Sequence, residues 1–165
     1  MSEVAKSVKS TAEELAQKKL ALTKWTKYLL DFMFYSGILV TLSLPFSVKW
    51  IGQFYEPAVE HYEETVIIYF VLGIAALVLI RELRRIFKTV LKQDCFVMEN
   101  VVSLNKMGNW SFFIALMSVV RNIVYLTKAM LVVILVFVIA GLFSKVLALV
   151  FEEAVRYKEE NDLTI

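Results

Sequence analysis

Glu60, His61 and Glu64 form the densest cluster of potential ligands in this 165-residue chain. On a helix, Glu60 and Glu64 are four residues apart, and His61 and Glu64 are three apart, so their side chains can meet. Imidazole and carboxylate together ligate divalent metals or respond to pH near neutrality. The same residues also describe a solvated acidic loop end. Arg121 lies either in the outer half of an apolar stretch or at its end, and it completes a candidate outer polar cluster. Little else offers chemistry. His61 is the single histidine and Cys95 the single cysteine, which leaves no histidine pair on one protomer and no thiol pair for redox work. There is no phosphate loop and no nucleophile constellation. The expectation is a non-enzymatic protein with no catalytic residue, no bound metal and no cofactor.

The other chemically expressive residues are charges inside apolar runs. Asp31 is about one helical turn inside the inner edge of the first run, and Lys145 less than two turns inside the inner edge of the last. Ionisable groups in such places are costly and face a partner or water. The two should lie at similar depth and form a candidate intramembrane pair. Snorkelling of Lys145 to the headgroups is the alternative. One acid and one base make a poor proton relay.

These residues are positioned by apolar stretches. Hydrophobic residues make up 59% of the chain and charged residues 21%, and the mean hydropathy of +0.66 points to a membrane protein. Runs at 28–48, 65–80, 107–125 and 129–151 are continuous rather than alternating, which favours helices over a β-barrel. A span needs about 20 mostly apolar residues, which the first and last runs clear easily. No cleavable signal peptide is apparent ahead of the first run. Segment 1–27 carries six lysines and segment 81–106 six basic residues, whereas 49–64 has only Lys49. By the positive-inside rule, both termini and the 81–106 connection face the cytoplasm.

The connecting segments are themselves patterned. Leu83, Ile86, Phe87, Val90 and Leu91 fit the full amphipathic template, with Arg81, Arg84, Arg85, Lys88 and Lys92 on the other face. That helix can lie on anionic lipid or pack its stripe against another helix. Asp94 can cap a following helix with Val97, Val101, Leu104 and Gly108 on one face and Glu99, Ser103 and Lys106 opposite. The expectation is an ordered cytoplasmic amphipathic hairpin over 81–106. Its candidate interaction surface is Arg81, Arg84, Arg85, Lys88, Lys92, Phe96, Glu99 and Asn100. No nucleic-acid-binding module is recognisable, so direct nucleic-acid binding is not expected. Toward the N-terminus, Ser10 with Glu13, or Thr11 with Glu14, has capping-box spacing. Leu15, Leu22, Trp25 and Leu29 then share one face, as a membrane-surface helix anchored by Trp25 and Tyr28 or as a partner-binding helix. On the last run, Ala140, Ser144 and Ala148 beside Gly141 form a small-residue stripe for packing within the bundle or between copies.

Two segments resemble a known family. Asp94-Cys-Phe-Val-Met-Glu-Asn100, with Leu104 and Met107-Gly108, and the ending Glu159-Glu-Asn-Asp-Leu-Thr-Ile165 after Phe151 are similar to the YoaS-like family of small bacterial four-span membrane proteins. The sequence departs from that pattern at Gln93-Asp94-Cys95 and at Ala154-Val155, and its N-terminus is long. The resemblance implies a protein of the bacterial plasma membrane acting beside a cytoplasmic helix-turn-helix transcription regulator. The expected architecture is all-α, with four transmembrane helices, the 81–106 hairpin between spans two and three, and a cytoplasmic tail at 152–165. The expected role is accessory or regulatory, with lipid, the regulator and a homo-oligomer as candidate partners. A small oligomeric transporter or channel component is an alternative, as is immunity against a membrane-active peptide.

Overall fold

A computed structural model describes residues 2–52, 62–92, 94–124 and 128–162. Among them the regular structure is entirely helical. Helix α1 spans Ser2–Gly52, α2 Tyr62–Leu91, α3 Met98–Val124 and α4 Lys128–Asp162. Helix α1 already runs through Ser10 and Thr11, so neither residue marks a helix start. Nor is 81–106 a separate pair of helices. No glycine or proline interrupts the chain between the apolar run and Arg81, so α2 continues to Leu91 without a break. The amphipathic segments are thus the ends of α2 and α3, and a turn that includes Lys92 and Asp94 lies between them.

Three of the helices are long and apolar enough to cross a membrane, within Glu14–Trp50, Val66–Leu91 and Lys128–Asp162. Residues 107–124 of the expected third span, 107–125, lie in α3, which is not among them over the described residues. Only 11–17% of each apolar window is buried inside the molecule. Leu39, Phe46, Leu135 and Leu149 are instead turned outward and exposed. Water would not tolerate so large a contiguous apolar surface, and lipid does.

Successive helices run antiparallel, each packed on the next in chain order. Asp31, Gly37 and Thr41 of α1 meet Arg84, Leu77 and Gly73 of α2. Tyr69 and Glu82 of α2 meet Arg121 and Ser103 of α3. Gly108 and Phe112 of α3 meet Lys145 and Gly141 of α4. The α1 and α4 backbones nowhere approach each other within 8 Å. One end of this row therefore holds the start of α1, the turn between α2 and α3 and the end of α4. That end, the turn end, also holds the main apolar core. Ile86, Val101, Leu104, Ala148 and Val155 are buried there, with Val90, Met107, Leu147 and Phe151 packed around them. The Phe96 ring lies on Phe151 at 5.4 Å.

Close helix approach is set by small residues. A Cβ on Gly73 would come within 2.8 Å of Thr41 Oγ1, and one on Gly141 within 2.9 Å of the Phe112 ring. Gly141, Ser144 and Ala148 are buried, so the small-residue stripe of α4 is spent on α3 inside the bundle. Thr41 is buried with its hydroxyl donating to the Gly37 carbonyl at 2.8 Å, which satisfies it without a partner helix. Its β-branched side chain has few rotamers, so it cannot yield to an added methyl. Gly73→Ala should lower stability by about 1–3 kcal/mol by overpacking. In a Thr41→Ala background, the same change should cost far less. Detergent thermal melts of the four proteins check this, and equal costs in both backgrounds would contradict the contact.

Candidate functional site

Among the described residues, most of the buried polar side chains lie on the inward face of α3. Asn100, Ser103, Ser111, Ser118 and Asn122 are all buried there, interleaved with Leu104, Gly108, Ile114 and Ala115. Steps of three and four residues keep them on one face. Helix α2 covers this face on one side and α4 on the other.

The part of the seam nearest the turn has specific partners. Glu82 of α2 is only 4% exposed, and a buried carboxylate must be met by donors. Ser103 Oγ donates to it at 2.9 Å, and Arg85, one turn along α2, reaches both its oxygens at 3.4 Å. Asn100 is fully buried. Its side-chain amide donates to the Cys95 carbonyl at 2.7 Å, and its oxygen accepts from the Thr89 hydroxyl at 2.9 Å. One residue thus closes the turn and ties it to α2. On the α4 side, the Lys145 stem lies across Gly108 and its Nζ donates to Asn105 Oδ1 at 3.0 Å. Among the described residues, Ser118 Oγ is the buried side-chain polar atom without a hydrogen-bond partner.

The expected pairing of Asp31 with Lys145 is replaced by a different one. Asp31 Oδ1 accepts from Arg84 Nε at 2.6 Å, with both side chains mostly buried. The Arg84 guanidinium also lies over the Phe34 ring at 4.6 Å and near Tyr35 at 5.6 Å. Helices α1 and α4 are not neighbours in the row, which sets Asp31 apart from Lys145. Lys145 instead runs toward the turn end, as a snorkelling lysine does.

The candidate interaction surface is divided by the fold. Arg81, Lys88 and Lys92 are exposed, as are Phe96 and Glu99, and Arg85 is partly so. Arg84 turns to α1 and Asn100 is interior, so neither belongs to an accessible surface. Ser103, expected opposite the apolar face, is interior as well because Glu82 requires its hydroxyl. The apolar positions Leu83, Ile86, Phe87, Val90 and Leu91 are all at least partly covered. Asp94 lies four residues ahead of the α3 start, and its carboxylate accepts from Lys158 at 2.9 Å. That hydrogen bond, and the attraction behind it, hold the Lys158 ammonium above the usual lysine range. Both groups are well exposed, so salt screens the pair and it adds little stability.

Of the outer polar cluster, Glu60 and His61 lie outside the described residues. Glu64 is exposed in the first turn of α2. The Arg121 guanidinium sits in the last turn of α3, over the Tyr69 ring at 4.5 Å. Sequence reasoning passed over Glu82, Thr89 and Asn105 as contributors. The available signal was the run of serine, asparagine and glycine at three- and four-residue steps inside an apolar stretch.

An all-helical row, apolar outside and polar along one internal seam, defines a membrane-type helical bundle. The family model for DUF2975, a protein of unknown function, matches residues 16–165, and the chain belongs to that family. No curated protein and no solved structure matches it.

The Asp31–Arg84 contact combines a charge-assisted hydrogen bond with aromatic stacking. In a double-mutant cycle, Asp31→Asn and Arg84→Met should couple by about 1–3 kcal/mol. Asp31→Asn with Lys145→Met should be additive. Detergent unfolding of both sets decides, and coupling confined to the second pair would contradict the assigned partners.

Proposed function

We propose that this chain is a non-enzymatic accessory or regulatory protein of the bacterial plasma membrane, and that its turn end presents a fixed docking surface to a cytoplasmic partner. The observation that carries the reading is where the stabilising polar contacts lie. Asn100, Thr89, Glu82 and Ser103 lock α2 to α3 at the turn end, and Arg81, Lys88, Lys92 and Glu99 stand exposed around that locked core. Pre-ordered surfaces bind with less entropic loss than loops do.

In this proposal α3 also crosses the membrane, giving four spans with both termini inside. Support comes from its outward face, where Phe113, Leu116, Val119, Val120 and Ile123 are exposed. Its polar residues face protein, so they need no lipid-compatible chemistry. The charge bias of segments 1–27 and 81–106 favours the turn end as cytoplasmic. The YoaS-like resemblance supports a transcription regulator as partner, with the regulator rather than this chain contacting DNA. For a small oligomeric transporter or channel component, polar groups would line an open path, and here the α3 seam is closed by its neighbours. Immunity against a membrane-active peptide would draw on Glu60 and His61, outside the described residues.

Mild-detergent purification followed by mass spectrometry tests the reading. The parent protein should retain a soluble partner in near-stoichiometric amount. A variant combining Arg81→Glu, Lys88→Glu and Lys92→Glu should lose it while keeping its melting temperature. Self-association with no soluble partner would overturn the proposal in favour of the oligomeric alternative.

A further inference from the structure

The start of α1 is too long for the membrane. Its 51 residues measure about 76 Å at 1.5 Å per residue, against about 30 Å of hydrocarbon. The apolar run begins near Tyr28, so a helical arm extends past it at the turn end. On this arm and just beyond it, Leu15, Leu22, Trp25, Leu29 and Phe32 are each more than half exposed. They follow a seven-residue pattern. Leu15, Leu22 and Leu29 are seven apart, and Lys18, Trp25 and Phe32 fill the alternate core positions. At 3.6 residues per turn this stripe lies roughly a third of a turn away from Leu30, Phe34, Gly37 and Thr41, which face α2. Among the described residues it is therefore unpartnered.

Two covers are available to such a stripe, lipid and protein. To lie on lipid, the arm would have to bend sharply away from the axis of the span. Sharp kinks need proline, glycine or a bulge, and no proline or glycine occurs between Glu14 and Ser36, where α1 is continuous. The charges flanking the stripe point to a particular protein. Glu14 and Lys19, both exposed, occupy the positions that face each other across a parallel pair of such helices. Two copies would set Glu14 of one against Lys19 of the other, twice by symmetry. Copies inserted under one charge bias share one orientation, so their arms emerge parallel on one side. Tethering by the spans then raises their effective concentration.

From this we infer that the α1 arm is a parallel coiled-coil homodimerisation element, its occupant a second copy of this chain. The inference needs only that the chain sits in a membrane, and it is independent of the partner proposed above.

Cysteine cross-linking of the full-length protein in native membranes tests it, in a Cys95→Ser background. Leu22→Cys and Trp25→Cys should give a disulfide-linked dimer about tenfold more readily than Gln17→Cys and Lys24→Cys on the opposite face, as core positions of a coiled coil do. Adding Glu14→Lys to Leu22→Cys should weaken the cross-link, and adding Lys19→Glu as well should restore it. Equal cross-linking at all four positions would overturn the inference. So would a Leu22→Cys thiol that stays monomeric and is shielded from aqueous maleimide, because lipid would then cover the stripe.

Discussion

A carboxylate buried between helices has to be met by donors, and here Glu82 is met by Ser103. From that requirement much of the arrangement follows. Ser103 must face inward, which turns Asn100 inward one helical turn earlier and Gly108, Ser111 and Ser118 inward along the rest of α3. The opposite face of α3 is then left for Phe113, Leu116 and Ile123. Helix α4 can approach because Gly108 and Gly141 leave room for the Lys145 stem and the Phe112 ring. Without a hydrophobic drive between helices in lipid, such small-residue contacts and interhelical hydrogen bonds are what hold a bundle together. The contacts near the turn end, where Ile86, Leu104, Ala148 and Val155 also pack, fasten α2, α3 and α4 together there.

The all-helical class was legible because continuous apolar runs leave few other solutions, and the amphipathic template around Ile86 and Val90 placed the right face inward. The internal seam was harder to read. Mean hydropathy averages the two faces of α3, so Ser103, Ser111 and Ser118 dilute the signal of residues that face outward. Among the described residues α3 is not one of the helices apolar enough to span on composition alone. The partner of Asp31 was misassigned for a related reason. Depth along the membrane fixes height but not neighbourhood, and only the chain-order row of helices brings Arg84 rather than Lys145 beside it. Glu99 and Asn100 show the limit most sharply. They are adjacent in sequence, yet one is exposed and the other wholly interior. The difference is a rotation of about 100° per residue about the α3 axis.

This division of labour bears on function. Residues that look chemically expressive, Asp31, Arg84, Glu82, Asn100 and Lys145, are engaged in holding helices together. What remains outward at the turn end is a set of charges on a braced framework and, on α1, an arm carrying its own apolar stripe.

On this structure, polarity inside α3 stabilises the bundle rather than opposing its insertion. The most direct measurement is the thermal stability, in detergent, of a variant carrying Ser103→Leu, Ser111→Leu and Ser118→Leu together. These changes make α3 markedly more apolar, so an account based on hydropathy alone expects a more stable protein. The present account predicts the reverse. Bulk is forced into a closely packed face, and Glu82 loses its hydroxyl donor, each at a cost of about 1–3 kcal/mol. A melting temperature equal to or above the parent's would contradict it.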